Sequence, residues 1–335
     1  MALFVAHPSS HDHDTGPHPE NAGRLAAIDA AMTERDWLGV ERVSAPAAER
    51  AWLERVHAPE HIEAIERFAE AGGGMIDHDT VASPGSFEAA LHSAGGAVHA
   101  AERLLAGDDR VAFCALRPPG HHAEQARAMG FCLFNNAAVA SAHAIAECDA
   151  QRVLVLDWDV HHGNGTEAIF ASSADVVYAS IHQWPLYPGT GPATFTGEGP
   201  GEGHTINMPV PPGSGPDEFL ALVEHIVAPA AREFRPGLLV ISAGYDAHRA
   251  DPLASCLLDE AAYADMSATM RELGRELGAP VLVCLEGGYD PPALASSVVA
   301  TIGALDGDRP PRPVEVGIAA EHAERVGATF PSVRA

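Results

Sequence analysis

The chain has 335 residues, 47% of them hydrophobic, and its 20 basic residues stand against 46 Asp plus Glu, a formal charge of −26 with histidine neutral. This balance argues against a nucleic-acid binder, whose phosphate contacts need the opposite sign, whereas a cationic substrate would be drawn in. Every basic side chain is arginine, which excludes Schiff-base chemistry, a P-loop lysine and a Ser–Lys pair and leaves 19 histidines as proton carriers and metal ligands.

The opening residues MALFVAHPSS carry neither a basic region nor a long apolar stretch, so no signal peptide is expected. The longest apolar runs, Val153–Leu156 and Leu238–Ser242, are strand-length, and a soluble cytoplasmic protein is the expectation. Five cysteines placed singly, without a CxxC pair, read as reduced thiols rather than as a disulfide framework or a thiolate zinc site. With no linker or repeat, residues 1–335 read as one α/β domain.

In chain order, the first third predicts helices over Glu60–Ala71 and Ser86–Leu105, with Ser86 as a cap and Ala90, Leu91, Ala94, Ala97 and Val98 recurring at helical spacing. From about residue 110, strands alternate with helices. The strands are Val111–Leu116, Arg152–Leu156, Val176–Ser180, Leu238–Ser242 and Val281–Leu285. The helices are Asn136–Glu147, Pro216–Arg232, Asp259–Leu277 and Pro291–Leu305. Such alternation implies βαβ units and a parallel sheet covered on both faces. Each strand runs into a polar cluster: RPPGHH, DWDVHHGNG, IHQWPLYPGTG, AGYDAH and EGGYD. Ligands of parallel sheets bind at the carboxyl edge, so the five clusters converge on one site.

In DWDVH, Asp157, Asp159 and His161 alternate along an extended segment and share a side. Asp159 and His161, with Asp246 from AGYDAH, make a three-donor set with an open position, the arrangement of a catalytic zinc that would equally accept ferrous iron or cobalt. His121 and His122, behind the rigid Pro118-Pro119-Gly120, are placed to take and return a proton. Tyr289 follows Gly287-Gly288 and can donate to an oxyanion. The histidine-rich segment HPSSHDHDTGPHPE reads as a solvated rim rather than a separate metal site.

These strings resemble, in order and spacing over nearly the whole chain, the histone deacetylase and acetylpolyamine amidohydrolase family of the arginase–deacetylase superfamily. The matches are HPE-N-x-x-R (His18 to Arg24), RPPGHHA, GFCLFNNAA, DWDVHHGNGT, YPGTG, SAGYDAH and LEGGYD. Asn164 and SAGYDAH look like the class II and bacterial branch. The resemblance implies a mostly parallel eight-stranded sheet with helices on both faces, and Zn2+ on Asp159, His161 and Asp246. It further implies His121 and His122 as general base and acid, Asp157 orienting His121, Asn164 facing His122, and Tyr289 as the transition-state tyrosine. Gly130, Phe131 and Tyr187 resemble the walls of a tunnel for an acyl-amine chain. A structural K+ is implied on Asp157, the carbonyls of Asp159, His161 and Ile181, and the Ser180 hydroxyl, and a second around Phe170, Ser173, Val176 and His204, where His204 departs from the family's pattern.

The implied activity is hydrolysis of an acylated amine, acyl-lysine before acetylpolyamine: polyamine-specific relatives place a glutamate where this chain has Leu253. An arginase-like ureohydrolase needs a second ligand set that the sequence lacks, and an inactive binding module would have lost one of the catalytic residues. Neither a membrane nor a nucleic acid is an expected partner, and the oligomeric state is open.

Overall fold

The structure, a computed structural model, describes residues 2–334. Eight strands form one sheet: β1 (Ala2–Ala6), β2 (Glu41–Ser44), β3 (Val111–Cys114), β4 (Val153–Asp157), β5 (Val176–Gln183), β6 (Thr205–Val210), β7 (Leu238–Ala243) and β8 (Val281–Leu285). Their order is β2-β1-β3-β8-β7-β4-β5-β6, and every pairing between neighbours is parallel. The sheet is thus wholly rather than mostly parallel.

Successive residues of a strand face opposite sides, and β4 divides accordingly. Leu154 and Leu156 join an apolar core with Met266, Met270, Leu294, Val298 and Ile302, from the helices Glu260–Leu277 and Pro291–Asp306. Val153 and Val155 join a second core with Ala94, Ala97, Ala137 and Ala140, from Ser86–Leu105 and Asn136–Glu147. Each fully buried aliphatic side chain contributes roughly 1.5–3 kcal/mol. Together the two layers fix the carboxyl edge that carries the site. No helix among the described residues is long and apolar enough to cross a membrane.

Several expectations are corrected. Ser86 is the first helical residue rather than the cap, and its hydroxyl accepts from Ser83 N (2.7 Å). The helix expected over Pro216–Arg232 is present and runs on to Phe234, but with a π-type turn at Val223–Val227 between its α-helical parts Pro216–Leu222 and Ala228–Phe234. β5 continues through His182 and Gln183 instead of ending at Ser180, while β3 stops at Cys114, two residues early. Strands β1, β2 and β6 are not among the strands expected from the sequence.

Candidate active site

Asp157 closes β4, and the turn after it is tied down by its own carboxylates and by that of Asp246. Asp159 N donates to Asp157 Oδ1 (3.1 Å), His161 N to Asp159 Oδ1 (2.9 Å) and Val160 N to Asp246 Oδ1 (3.0 Å). Gly287 N, just past β8, donates to Asp159 Oδ2 (2.8 Å). A Cβ on Gly287 would collide with Asp246 Oδ2, so only glycine lets this backbone approach so closely. As a result His161 Nδ1 lies 3.1 Å from both Asp159 Oδ1 and Asp246 Oδ2.

All three side chains are buried, and their donor atoms lie within 4.8 Å of one another. Two buried carboxylates facing one imidazole carry an excess of negative charge that a divalent cation would neutralise; the donor set fits a metal. Burial would lower His161, but its bonds to Asp159 and Asp246 prevail and raise it to about 10. Burial and the charge of Asp159 raise Asp246.

The loop after β3 is held from beneath. Gly120 N (2.6 Å) and His121 N (3.1 Å) donate to Glu286 Oε2 at the end of β8, and burial pushes that carboxyl up to about 7. His121 Nδ1 donates to Asp157 Oδ2 (3.0 Å), which also accepts from Tyr178 Oη (3.0 Å). His122 Nδ1 donates to Asn164 Oδ1 (2.8 Å), whose amide in turn donates to Glu124 Oε1 (2.7 Å). This chain fixes the His122 tautomer and leaves Nε2 free.

The two imidazoles are 4.0 Å apart and oppositely disposed to protons. Burial would depress His121, yet the carboxylates of Asp159 and Asp157 lift it to about 10. Burial, with His121 and His161 adding positive charge, holds His122 well below its ordinary value. A cation on Asp159 would remove part of the pull on His121.

A cavity of about 220 Å³ opens over this set, lined by the expected His122, His161, Gly130, Phe131, Tyr187, Leu253 and Tyr289, and also by Asp79 and Leu186. Tyr187 meets His122 edge-on at 5.2 Å, and Phe131 meets Tyr289 edge-on at 5.7 Å. Tyr289 is anchored by its backbone N on Asp251 Oδ2 (2.6 Å). Burial first, then Asp246, raises Asp251 to about 7.

Of the residues implied for potassium, Ser180 sits directly opposite Asp157 in the β4–β5 register, and its hydroxyl is 2.9 Å from His182 Nδ1. The His204 ring lies 5.7 Å from Phe234 and 6.0 Å from Phe330, while its carbonyl accepts from Tyr178 N. The histidine-rich opening segment is only partly a solvated rim. His13 is buried, with Nδ1 2.6 Å from Ser86 Oγ, beside a carboxylate, Glu20, that binds Arg117 and Arg24.

The family model described as histone deacetylase domain matches residues 18–305. The chain belongs to the histone deacetylase family. It is 44% identical to a probable deacetylase of Methanothermobacter thermautotrophicus, covering 91% of each chain. It is 38% identical to the histone deacetylase-like amidohydrolase of Pseudomonas aeruginosa, covering 91% of this chain and 80% of that protein. The crystal structure of the HDA15 HD domain superposes with a TM-score of 0.91 at 34% identity, covering 99% and 98% of the two chains. As a histone deacetylase relative, the protein is a hydrolytic enzyme acting on amides, built on the family's single α/β domain. Glu286 opens the EGGYD cluster, whereas Tyr178, Glu124 and Asp251, which also brace the site residues, carry no local sequence signal beyond their nearness to the clusters.

Proposed function

We propose that residues 1–335 act as one zinc-dependent deacylase that removes acetyl or another short acyl group from acyl-lysine side chains. The observation that carries this reading is the meeting of the Asp159–His161–Asp246 set with the His pair and Tyr289 at one narrow, aromatic-walled cavity. Zinc, or ferrous iron or cobalt on the same donors, would when bound make water a nucleophile near neutral pH and polarise the amide carbonyl.

The chain's own groups supply the rest. His122 Nε2, neutral and aimed by Asn164, takes the proton from the attacking water. His121, held cationic on Asp157, returns a proton to the leaving amine, so the base and acid roles are the reverse of the order the resemblance implies. Tyr289 Oη donates to the developing oxyanion, and Phe131 and Tyr187 strip water from the methylene stem. Asp157, Ser180 and the carbonyls of Asp159, His161 and Ile181 form the candidate potassium site. Free thiols at all five cysteines fit a cytoplasmic enzyme.

An acetylpolyamine substrate is the second reading, favoured by the −26 charge and opposed by the apolar Leu253 in the cavity wall. A two-metal ureohydrolase is disfavoured. Among the described residues the other potential ligand group, Asp77, His78 and Asp79, is at most intermediate in burial and separate from the buried set.

The test is metal analysis with turnover of an acetyl-lysine peptide and of N-acetylputrescine. We expect faster cleavage of the peptide, and Tyr289→Phe to lose roughly 100- to 1,000-fold in kcat with the fold intact. Cleavage of neither substrate with zinc, iron or cobalt supplied, or an unaffected Tyr289→Phe, sinks the proposal.

A further inference from the structure

Asp251 is a buried carboxylate, 8% exposed, with no cationic partner among the described residues. Burial and the charge of Asp246 both work against its ionised form, and an uncompensated buried charge costs stability. In place of a cation it has two backbone amides, one on each oxygen. Leu253 N donates to Oδ1 (2.9 Å) and Tyr289 N to Oδ2 (2.6 Å). An ionised acceptor holds such N–H groups about twice as strongly as a neutral one.

The two donors come from different segments, the loop after β7 and the loop after β8, and both side chains line the active-site cavity. Asp251 stands behind them, outside that lining. The loop after β8 is held up to residue 288: Tyr245 N donates to Gly287 O (3.1 Å) and Arg24 Nε to Gly288 O (2.7 Å). Gly288, at a φ of +117°, is then a place where the chain can pivot. Beyond it the Tyr289 ring has only soft contacts, Phe131 edge-on at 5.7 Å and the Arg24 guanidinium 5.1 Å from the ring centroid. The directional stop past the pivot is the bond from Tyr289 N to Asp251.

We infer that Asp251 is a positioning residue whose single carboxylate aims the Tyr289 hydroxyl at the oxyanion and fixes its separation from the Leu253 wall. The inference rests on the deacylase reading of the same site. The energy lost by burying this charge is recovered as a catalytic hydroxyl that needs no reorganisation when charge develops on the substrate.

Asp251→Asn keeps the shape, offers one acceptor oxygen instead of two and turns an amide donor towards the other N–H. Because misplacing a catalytic group by 1 Å costs up to about 100-fold, kcat on an acetyl-lysine peptide should fall roughly 10- to 100-fold, with KM changed far less. Bound metal per chain should match the wild type. The deciding measurement is a double-mutant cycle: in a Tyr289→Phe background the same substitution should cost less than about 3-fold, since the hydroxyl it places is already gone. Asp251→Ser, with one short acceptor, serves the same cycle if the Asn variant does not fold. A crystal structure of the variant should show the Tyr289 ring turned from its wild-type position while Asp159, His161 and Asp246 keep theirs.

Equal losses in the two backgrounds, a loss explained by missing metal, or an unchanged kcat overturns the inference and leaves the deacylase reading standing. If the wild type cleaves no acyl-lysine substrate, the deacylase reading falls; the crystal structures then judge the placement of Tyr289 by themselves, and an unmoved ring overturns the inference too.

Discussion

Glu20 is the side chain whose loss should be felt furthest. It is fully buried and ion-paired to two guanidiniums that are themselves buried. Arg117 grips both carboxylate oxygens through Nε and Nη2, Arg24 Nη1 reaches Oε1 at 3.1 Å, and His13 Nε2 lies 3.4 Å from Oε2. Burial alone would raise this carboxyl, but Arg117 outweighs it and holds it well below the usual range.

Glu20→Gln keeps the shape and removes the charge. It leaves two buried guanidiniums uncompensated and points an amide donor at N–H donors. Breaking a buried pair in this way costs about 3–5 kcal/mol. With an unfolding entropy of about 2.1 cal/mol/K per residue over 335 residues, roughly 0.7 kcal/mol/K, the melting temperature should fall by about 4–7 °C. Arg24 also donates to the carbonyls of Gly288 (2.7 Å) and Glu286 (2.5 Å), on either side of the glycine that contacts Asp159, so kcat should fall with stability. Calorimetry and a turnover assay of one preparation read both. A melting point within 1 °C of wild type would refute the reasoning.

Acid should destabilise the fold through histidines buried neutral. His57 donates from Nδ1 to Glu124 O (3.0 Å) and accepts Asn135 N on Nε2 (2.9 Å), so a second ring proton has no acceptor; burial, then His61, lowers it to about 3. The unfolded chain therefore binds more protons between pH 6.5 and 3. The contribution is complete above 6.5 and lost as pH falls, by about 1.4 kcal/mol per unit. Urea midpoints from pH 7 to 5 should show this slope and His57→Gln should flatten it; an unchanged slope contradicts the assignment. Glu20, with its depressed folded value, contributes above the ordinary glutamate range and fails only at lower pH. The −26 charge repels itself, so raising NaCl from 20 to 200 mM, which shortens the screening length from roughly 20 Å to below 10 Å, should raise the midpoint; a fall would show that ion pairs outweigh self-repulsion.

The central strands were legible because β3, β4, β7 and β8 are buried on both faces and read as unbroken apolar runs. The outer strands were not. β2 alternates half-buried and exposed residues over four positions, and β6 contains Asn207 and Pro209. A proline there is tolerated because β6 is an edge strand, with one side free of ladder hydrogen bonds. The clusters at strand ends announced the donors and the His pair, since that chemistry is local to short strings. The groups that hold them are distant: Glu20 meets Arg117 across 97 positions, and Glu286 meets Gly120 across 166. No spacing rule spans such separations, so the polar floor of the site became visible only in three dimensions.

The strand order also has a meaning in time. β8, the last strand made, is inserted between β3 and β7 at the middle of the sheet. Until residue 285 has left the ribosome, the nascent chain therefore holds two open, apolar strand edges that should be paired with each other's neighbour, the kind of surface that recruits chaperones or seeds aggregation. The same insertion carries in Glu286, Gly287 and Tyr289. Synthesis thus ends its long vulnerable interval with the strand that closes both the sheet and the candidate site, and a chain cut before β8 cannot close either.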